Sequence, residues 1–138
     1  MIQVFFDGAS GGPVSLSGGG MYINLGDGRE ERRAFPLGVM ADNHEAEFAA
    51  LVASLRHCLN HGYRSVSFHT DSQLVDQALV KRYVKKEIYA RYLTEALDLI
   101  EQYDLFFCKW IPDRQNRNAD RLARQAIRLQ KKSTGKES

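Results

Sequence analysis

The chain has 138 residues, of which 43% are apolar, and a formal net charge of +2. This length and composition allow a hydrophobic core to form without disulfide or metal cross-links, and they predict one domain over residues 1–130. We expect residues 131–138 to form a basic, flexible tail. The small net charge by itself does not indicate a nucleic acid partner, although the C-terminal segment is distinctly basic.

The two cysteines, Cys58 and Cys108, lie in apolar surroundings and lack the spacing of metal ligands. Reduced thiols in an intracellular protein are therefore expected. No apolar run approaches the ~20 residues of a membrane helix, and the N-terminus lacks the pattern of a secretion signal. These features predict a cytoplasmic protein with no membrane partner.

Hydrophobic periodicity predicts five strands and four helices in the order βββαβααβα. Small residues and a proline after Asp7 are expected to end the first strand at that carboxylate. Asn43 is a natural N-cap for the first helix. The strands are predicted at residues 2–7, 18–25, 31–37, 65–70 and 105–111, and the helices at about 43–61, 72–79, 88–103 and after 118. This order predicts an α/β fold, a five-stranded mixed sheet with helices packed on both faces.

Two of the predicted strands end on an aspartate, Asp7 and Asp71. In an open α/β sheet the ligand crevice lies outside the carboxyl ends of the strands, so both carboxylates are expected in one crevice. The alternative for Asp71 is an N-cap of the following helix.

Two more acids have unusual positions. Glu47 lies one turn before Leu51, near the buried face of its helix, where an unpaired carboxylate would be costly; interaction with the helix dipole is the alternative. Asp120 starts the last helix beside its inner face. Four carboxylates at one end of a sheet would repel one another unless hard divalent cations bind them. Two magnesium ions ~4 Å apart are the usual arrangement for phosphodiester cleavage.

Four motifs resemble, in order, those of the type-one ribonuclease H family: FDGAS at residues 6–10, NHEAEF at 43–48, TDSQLV at 70–75 and NRNADRLAR at 116–124. The resemblance spans about residues 1–128 and implies a ribonuclease H-like fold. It also implies an endonuclease that hydrolyses the RNA strand of RNA-DNA hybrids by a two-metal-ion mechanism. The implied catalytic metal ligands are Asp7, Glu47, Asp71 and Asp120. Mg²⁺ is the implied cofactor, with Mn²⁺ as a substitute.

The resemblance further implies that the protein contacts the minor groove of the hybrid, where 2′-hydroxyls distinguish RNA from DNA. Outward-facing arginines on the last helix could meet phosphates, although a solvated helix face explains them equally well. The predicted substrate contacts are Gly8, Ala9, Ser10, Asn43, Gln73, Asn116, Arg121 and Arg124. We expect a monomer without a small-molecule organic cofactor.

Two departures from the family pattern leave other functions open. Trp110 occupies the position, ten residues before Asp120, where the family often has a histidine, and residues 12–15 replace the usual turn after the first motif. A catalytically weak or silent hybrid-binding module and a metal-dependent exonuclease are the alternatives. The four histidines show no metal-like grouping in the sequence and are predicted to be surface or packing residues: His44, His57, His61 and His69.

Overall fold

The computed structural model describes residues 1–137, with side chains described for residues 1–132. It confirms the predicted order of five strands and four α-helices. The elements are β1 (Ile2–Ser10), β2 (Ser15–Gly26), β3 (Arg29–Met40), α1 (Asn43–Asn60), β4 (Ser65–Thr70), α2 (Gln73–Lys81), α3 (Glu87–Ile100), β5 (Leu105–Trp110) and α4 (Arg117–Glu137). A single 3-10 turn, Asp113–Gln115, precedes α4. Because α4 continues to Glu137, it includes most of the predicted tail, whose flexibility remains a prediction.

The five strands form one mixed sheet in the order β3-β2-β1-β4-β5, so β1 lies at its centre. β1 pairs antiparallel with β2 and parallel with β4, and β4 pairs parallel with β5. Pairing between β1 and β4 runs from Ile2 opposite Val66 to Phe5 opposite His69. The carboxyl ends of these two strands therefore meet at the same edge of the sheet.

The prediction that β1 ends at Asp7 is wrong, because the strand continues to Ser10 and pairs with β2 along this extension. Gly8 serves packing here and does not form a turn. A Cβ atom at Gly8 would lie 2.3 Å from the backbone of Ala46, so only glycine allows α1 to approach β1 this closely. The extension places Asp7 inside a strand and near the N-terminal end of α1.

Helices pack on both faces of the sheet, as predicted. Three successive glycines of β2 allow α1 and α4 to approach the strand closely. A Cβ at Gly18 or Gly20 would lie 2.2 Å or 2.1 Å from a backbone oxygen of α4. A Cβ at Gly19 would point to the other face and lie 3.2 Å from the Cβ of Ala50 in α1. Since successive residues of a strand face opposite sides, this alternation places α1 and α4 on opposite faces.

The main core lies between the sheet, α1 and α3 and contains fully buried aromatic and aliphatic side chains. Phe6, Phe48 and Phe68 are each at most 1% exposed. Both cysteines carry free thiols, Cys58 in the core and Cys108 half-buried on β5. Among the helices within residues 1–137, we find none that is sufficiently long and apolar to cross a membrane.

The N-cap of α1 is Asp42 and not the predicted Asn43. The Asp42 side chain accepts a hydrogen bond from the Glu45 N–H at 2.8 Å. Asn43 instead connects strand and helix, since its Oδ1 accepts from the Ser10 N–H at 3.2 Å and its Nδ2 donates to Glu47 Oε1 at 3.1 Å. Asn43 therefore fixes the side chain of a candidate site residue.

Candidate active site

Three of the four predicted carboxylates come together at the carboxyl ends of β1 and β4. One oxygen from each of Asp7, Glu47 and Asp71 lies within 4.8 Å of the others. Asp7 belongs to β1, Glu47 to the first turns of α1, and Asp71 directly follows β4. Because β4 ends at Thr70, the last residues of β1 extend past it and leave room for these side chains.

Asp120, the fourth predicted carboxylate, lies beside this cluster at the start of α4. It is close enough to Asp7 to share a hydrogen bond that helps raise the pKa of Asp7. Both of its oxygens also accept from Arg124 Nε, at 3.1 and 3.2 Å. The structure therefore brings all four predicted carboxylates together but gives one of them an arginine partner.

The cluster is electrostatically unfavourable in the absence of a cation. Burial, followed by the charge of Asp71 and a hydrogen bond with Asp120, raises the pKa of Asp7 to about 9. Burial is also the largest cause that raises the pKa of Glu47 and that of Asp71. The protein environment therefore favours the protonated, neutral form of these carboxyl groups, and a nearby positive charge would favour the ionised form instead.

The residues present fit a hard divalent cation. Glu47 Oε2 is buried and, within the part of the chain that is described, has no hydrogen-bond donor in reach. The Nδ1 atom of His44 is 3.6 Å away from it. A buried carboxylate oxygen that no hydrogen-bond donor reaches is a suitable ligand position for a cation. Carboxylate oxygens are the ligands that Mg²⁺ and Mn²⁺ prefer.

Asn116 orients the side chain of Asp71 through a hydrogen bond. Its side chain is 1% exposed, and its Nδ2 donates to the Phe6 carbonyl at 2.9 Å and to Asp71 Oδ2 at 3.1 Å. The Nδ2 group of Asn116 is thus engaged within the protein, and the predicted substrate contact at Asn116 stays a prediction. Its role is to hold the carboxylate of Asp71.

Asp71 does not cap the following helix, which removes the alternative interpretation of this residue. The N-cap of α2 is Ser72, whose hydroxyl accepts from the Val75 N–H at 3.1 Å. Trp110, at the end of β5, donates from its indole Nε1 to the Asp71 carbonyl at 3.2 Å. The main chain and the carboxylate of Asp71 are thus held separately, and the carboxylate is directed toward the cluster.

The remaining predicted contact residues lie around the site but differ in exposure. Gly8 and Ala9 are buried, and Ser10 is half-buried with its N–H bonded to Asn43. The exposed predicted residues are Asn43, Gln73, Arg121 and Arg124. Whether any of them contacts a substrate remains a prediction.

A cleft of about 310 Å³ opens beside the carboxylates. It is lined by Asp71, Asp113, Arg114, Arg117, Asp120 and Arg124. Asp113, Arg114 and Arg117 were not among the predicted site residues. The available signal was the density of charged residues in the segment that precedes the last helix. The cleft thus places three arginines beside the acidic cluster.

The prediction that the histidines form no metal-like group is wrong for two of them. Ligand atoms of His57 and His61 lie within 4.8 Å of each other and of a carboxylate oxygen of Glu31. Their spacing of four residues near the end of a helix was the available sequence signal, because such residues lie on one helix face. His69 instead stacks on Phe5, with ring centroids 4.4 Å apart, as a packing residue does.

The raised pKa of Asp7 predicts how stability depends on pH when divalent ions are removed. The pKa rises from 3.8 to about 9 on folding, so the folded state holds a proton that the unfolded state has lost between these values. The free energy of unfolding in EDTA should therefore fall as pH rises across this range, by up to about 1.4 kcal/mol per pH unit. Urea unfolding at several pH values measures this slope, and Asp7→Asn should flatten it. An equal slope in the Asn variant would contradict the assignment.

The topology and the buried carboxylates define the class of ribonuclease H-like α/β proteins. Comparison with known proteins agrees, since the family model described as reverse transcriptase-like matches residues 27–126. The chain belongs to this family of ribonuclease HI-like proteins.

Two sequence relatives are similar over most of the chain. A protein of Enterococcus faecalis named "Putative hydrolase EbsB" is 37% identical over 129 residues, which are 92% of this chain and 94% of that protein. Ribonuclease HI of Halobacterium salinarum is 28% identical over 127 residues, 91% of this chain and 64% of the relative.

Two solved structures share the fold. RNase H1 of Halobacterium salinarum superposes with a TM-score of 0.85 at 28% identity, covering 91% of this chain and 96% of the other. LC11-RNase H1, solved in complex with an RNA/DNA hybrid, has a TM-score of 0.84 at 23% identity, with 94% and 98% of the two chains covered. The predicted fold class is therefore confirmed.

Proposed function

We propose that the protein is a metal-dependent endonuclease that hydrolyses the RNA strand of RNA-DNA hybrids. The observation that carries the proposal is the cluster of Asp7, Glu47 and Asp71, with Asp120 beside it. The similarity to ribonuclease HI of Halobacterium salinarum supports the same activity. A single chain supplies all four carboxylates, so the proposal needs no second copy. The cytoplasmic location stays a prediction.

The four carboxylates would hold two Mg²⁺ ions, or Mn²⁺ in their place. When bound, such ions activate a water molecule and stabilise the leaving oxygen of a phosphodiester. The chain's own contribution is to fix the ligands in advance. Asn116 holds the Asp71 carboxylate, and Asn43 holds Oε1 of Glu47. Ligands that are already oriented need no reorganisation when the substrate binds.

Recognition of the hybrid would use the two surfaces that border the cluster. Asn43 and Gln73 are exposed on one side, where amide groups can contact bases and 2′-hydroxyls in a minor groove. Arg114, Arg117 and Arg121 are exposed on the side of the cleft and α4, where guanidinium groups can neutralise phosphates. Such a division would place a phosphodiester of one strand over the carboxylates.

A hybrid-binding module without strong activity is the second candidate. It is favoured by the pairing of Arg124 with both oxygens of Asp120, which engages the fourth carboxylate with a cation from the same helix. It is also favoured by Trp110, whose indole cannot transfer a proton as an imidazole does. In this case the fold and the basic surface would bind the hybrid while hydrolysis is slow.

A cleavage assay with end-labelled nucleic acids tests these possibilities. The purified protein is incubated with an RNA-DNA hybrid, duplex RNA or duplex DNA, in Mg²⁺, Mn²⁺ or EDTA. Internal cuts confined to the RNA of the hybrid, and absent in EDTA, are the expected result. Tight binding without cuts would support the binding module, and stepwise shortening from one end would support the exonuclease.

Binding to the hybrid in EDTA is expected to weaken with salt. Each phosphate contact contributes about 0.7 to 0.9 to the slope of log affinity against log salt concentration. Arg121→Ala should lower that slope by about this amount and is a cleaner change than Arg124→Ala, because Arg124 also pairs with Asp120. Fluorescence anisotropy at several salt concentrations measures the slope.

Arg29→Ala is the matched control for this experiment. It removes the same charge from the exposed start of β3, at the hairpin that joins β2 and β3. An Arg121→Ala slope that equals both the wild-type slope and the Arg29→Ala slope would show that the arginines of α4 form only a solvated helix face.

A further inference from the structure

A second group of metal-ligating side chains lies apart from the carboxylate cluster. Glu31 at the start of β3, His57 in the last turn of α1 and His61 at its C-cap each place one ligand atom within 4.8 Å of the others. We propose that these three residues bind a transition-metal ion of the Zn²⁺ type. The site has no part in the proposed hydrolysis, so the two proposals can fail independently.

The distances fit two ligands of one ion. His57 Nε2 lies 3.1 Å from Glu31 Oε2. Zinc bonds to histidine nitrogen and carboxylate oxygen measure about 2.0–2.2 Å, which places adjacent tetrahedral ligands about 3.3 Å apart. The rings of His57 and His61 stack with centroids 4.0 Å apart, which places the two imidazoles side by side.

The hydrogen bonds around the site assign the ligand atoms. His61 Nδ1 lies 2.8 Å from the His57 carbonyl and donates to it, which leaves Nε2 of His61 as the atom with a free lone pair. Tyr63 donates its hydroxyl to Glu31 Oε1, which leaves Oε2 toward His57. Outer hydrogen bonds of this kind orient the ligands in protein metal sites.

The protonation states at neutral pH also suit a metal. Burial lowers the pKa of His57, which favours the neutral imidazole; the Nε2 proton that His57 donates to Glu31 has to shift to Nδ1 when Nε2 binds an ion. Although burial acts to raise it, the pKa of Glu31 is lowered by hydrogen bonds from Tyr63 and His57, so the side chain is a carboxylate. Two nitrogens and one oxygen form a ligand set that suits zinc better than Mg²⁺, which prefers oxygen.

The position favours a cation and separates it from the carboxylate cluster. The C-terminal end of a helix carries partial negative charge, and the group of Glu31, His57 and His61 lies at that end of α1. His57 is ten residues after Glu47 in the same helix, about 15 Å along its axis. A bound ion would connect the end of α1 to β3, one of the two edge strands of the described sheet, and stabilise the folded state by mass action.

The test is a titration of the full chain with Zn²⁺ in an excess of Mg²⁺, which competes with Zn²⁺ for the carboxylate cluster. Isothermal calorimetry and thermal unfolding are measured on the wild type, Glu31→Gln and His61→Gln. We expect one Zn²⁺ to bind and raise the midpoint of unfolding. Each variant should weaken binding about tenfold or more and lose the corresponding rise in the midpoint.

Glu30→Gln is the matched control. It removes one negative charge from the neighbouring residue of β3, whose carboxylate instead contacts Tyr22 and Arg32. It should bind Zn²⁺ like the wild type. Equal Zn²⁺ affinity in the wild type, Glu31→Gln and His61→Gln would overturn the proposal.

Histidine ring NMR signals give an independent measurement on the unmutated protein. In excess Mg²⁺, addition of Zn²⁺ should shift the signals of His57 and His61 and leave those of His44 and His69 in place. Shifts confined to His44, which lies beside Glu47, would place the ion at the carboxylate cluster and reject the site at Glu31.

Discussion

The Asp71→Asn variant is expected to retain the fold and to lose hybrid cleavage by about a thousandfold or more. The substitution preserves the size of the side chain and lets Asn116 remain in contact, but removes one negative charge from the proposed metal site. Without metal, the variant should be at least as stable as the wild type. Burial and the charges of Asp120 and Asp113 raise the pKa of Asp71, so neutralising it relieves an unfavourable charge.

Asp98→Asn is the matched control, because Asp98 is an exposed carboxylate of α3 that belongs neither to the cleft nor to the cluster. Its cleavage rate should stay close to that of the wild type. Hybrid binding should be preserved in both variants, since it depends on exposed amides and arginines. Normal cleavage by Asp71→Asn would reject the metal site, and its unfolding would indicate that Asp71 serves mainly to stabilise the fold.

The second large effect is expected for Gly20→Ala, which should destabilise the protein by about 3 kcal/mol or more. The new Cβ would lie 2.1 Å from the Ala119 carbonyl oxygen and 2.5 Å from the Ala123 nitrogen. Both atoms belong to the backbone of α4, so the helix has to move as a unit. Because Asp120 follows Ala119 directly, cleavage should fall together with stability.

Gly19→Ala is the control at the next residue of the same strand. Its Cβ would face α1 and meet the Cβ of Ala50 at 3.2 Å, a contact that a small shift can relieve. We expect a change below about 1 kcal/mol, since alanine also restricts the unfolded chain. Denaturant unfolding compares the two variants. Equal destabilisation would mean that the loss of glycine flexibility, and not the approach of α4, determines the effect.

Much of the fold could be predicted from local patterns. β4 was predicted with its observed bounds, Ser65–Thr70, because an alternating run of β-branched and aromatic residues is bounded by polar ones. The end of β1 was predicted wrongly, because glycine and serine are typical of turns. Only the packing of Ala46 against Gly8 explains why the strand continues. Adjacent Asp42 and Asn43 are equally good caps, and sequence alone does not distinguish them.

The candidate site shows the same limit. The four carboxylates could be predicted because each lies in a short motif that resembles one of the ribonuclease H family, next to a predicted strand end or in the first turns of a predicted helix. The role of Asn116 could not, because it depends on burial against Phe6 and Asp71, which are distant in sequence. Glu31 and His57 were also missed as partners, since 26 residues separate them and only the packing of β3 against α1 brings them together.

The glycines at the centre of the sheet also determine how firmly the carboxylates are spaced. The backbone of Ala46 contacts Gly8 on one face of the sheet, and the backbone of Ala119 contacts Gly20 on the other. Each alanine directly precedes a carboxylate, Glu47 after Ala46 and Asp120 after Ala119. No side chain lies between helix and strand at either point, so rotamer changes cannot alter the span between the two helix backbones. The separation between the backbones that carry Glu47 and Asp120 is therefore set by main-chain contact across the sheet.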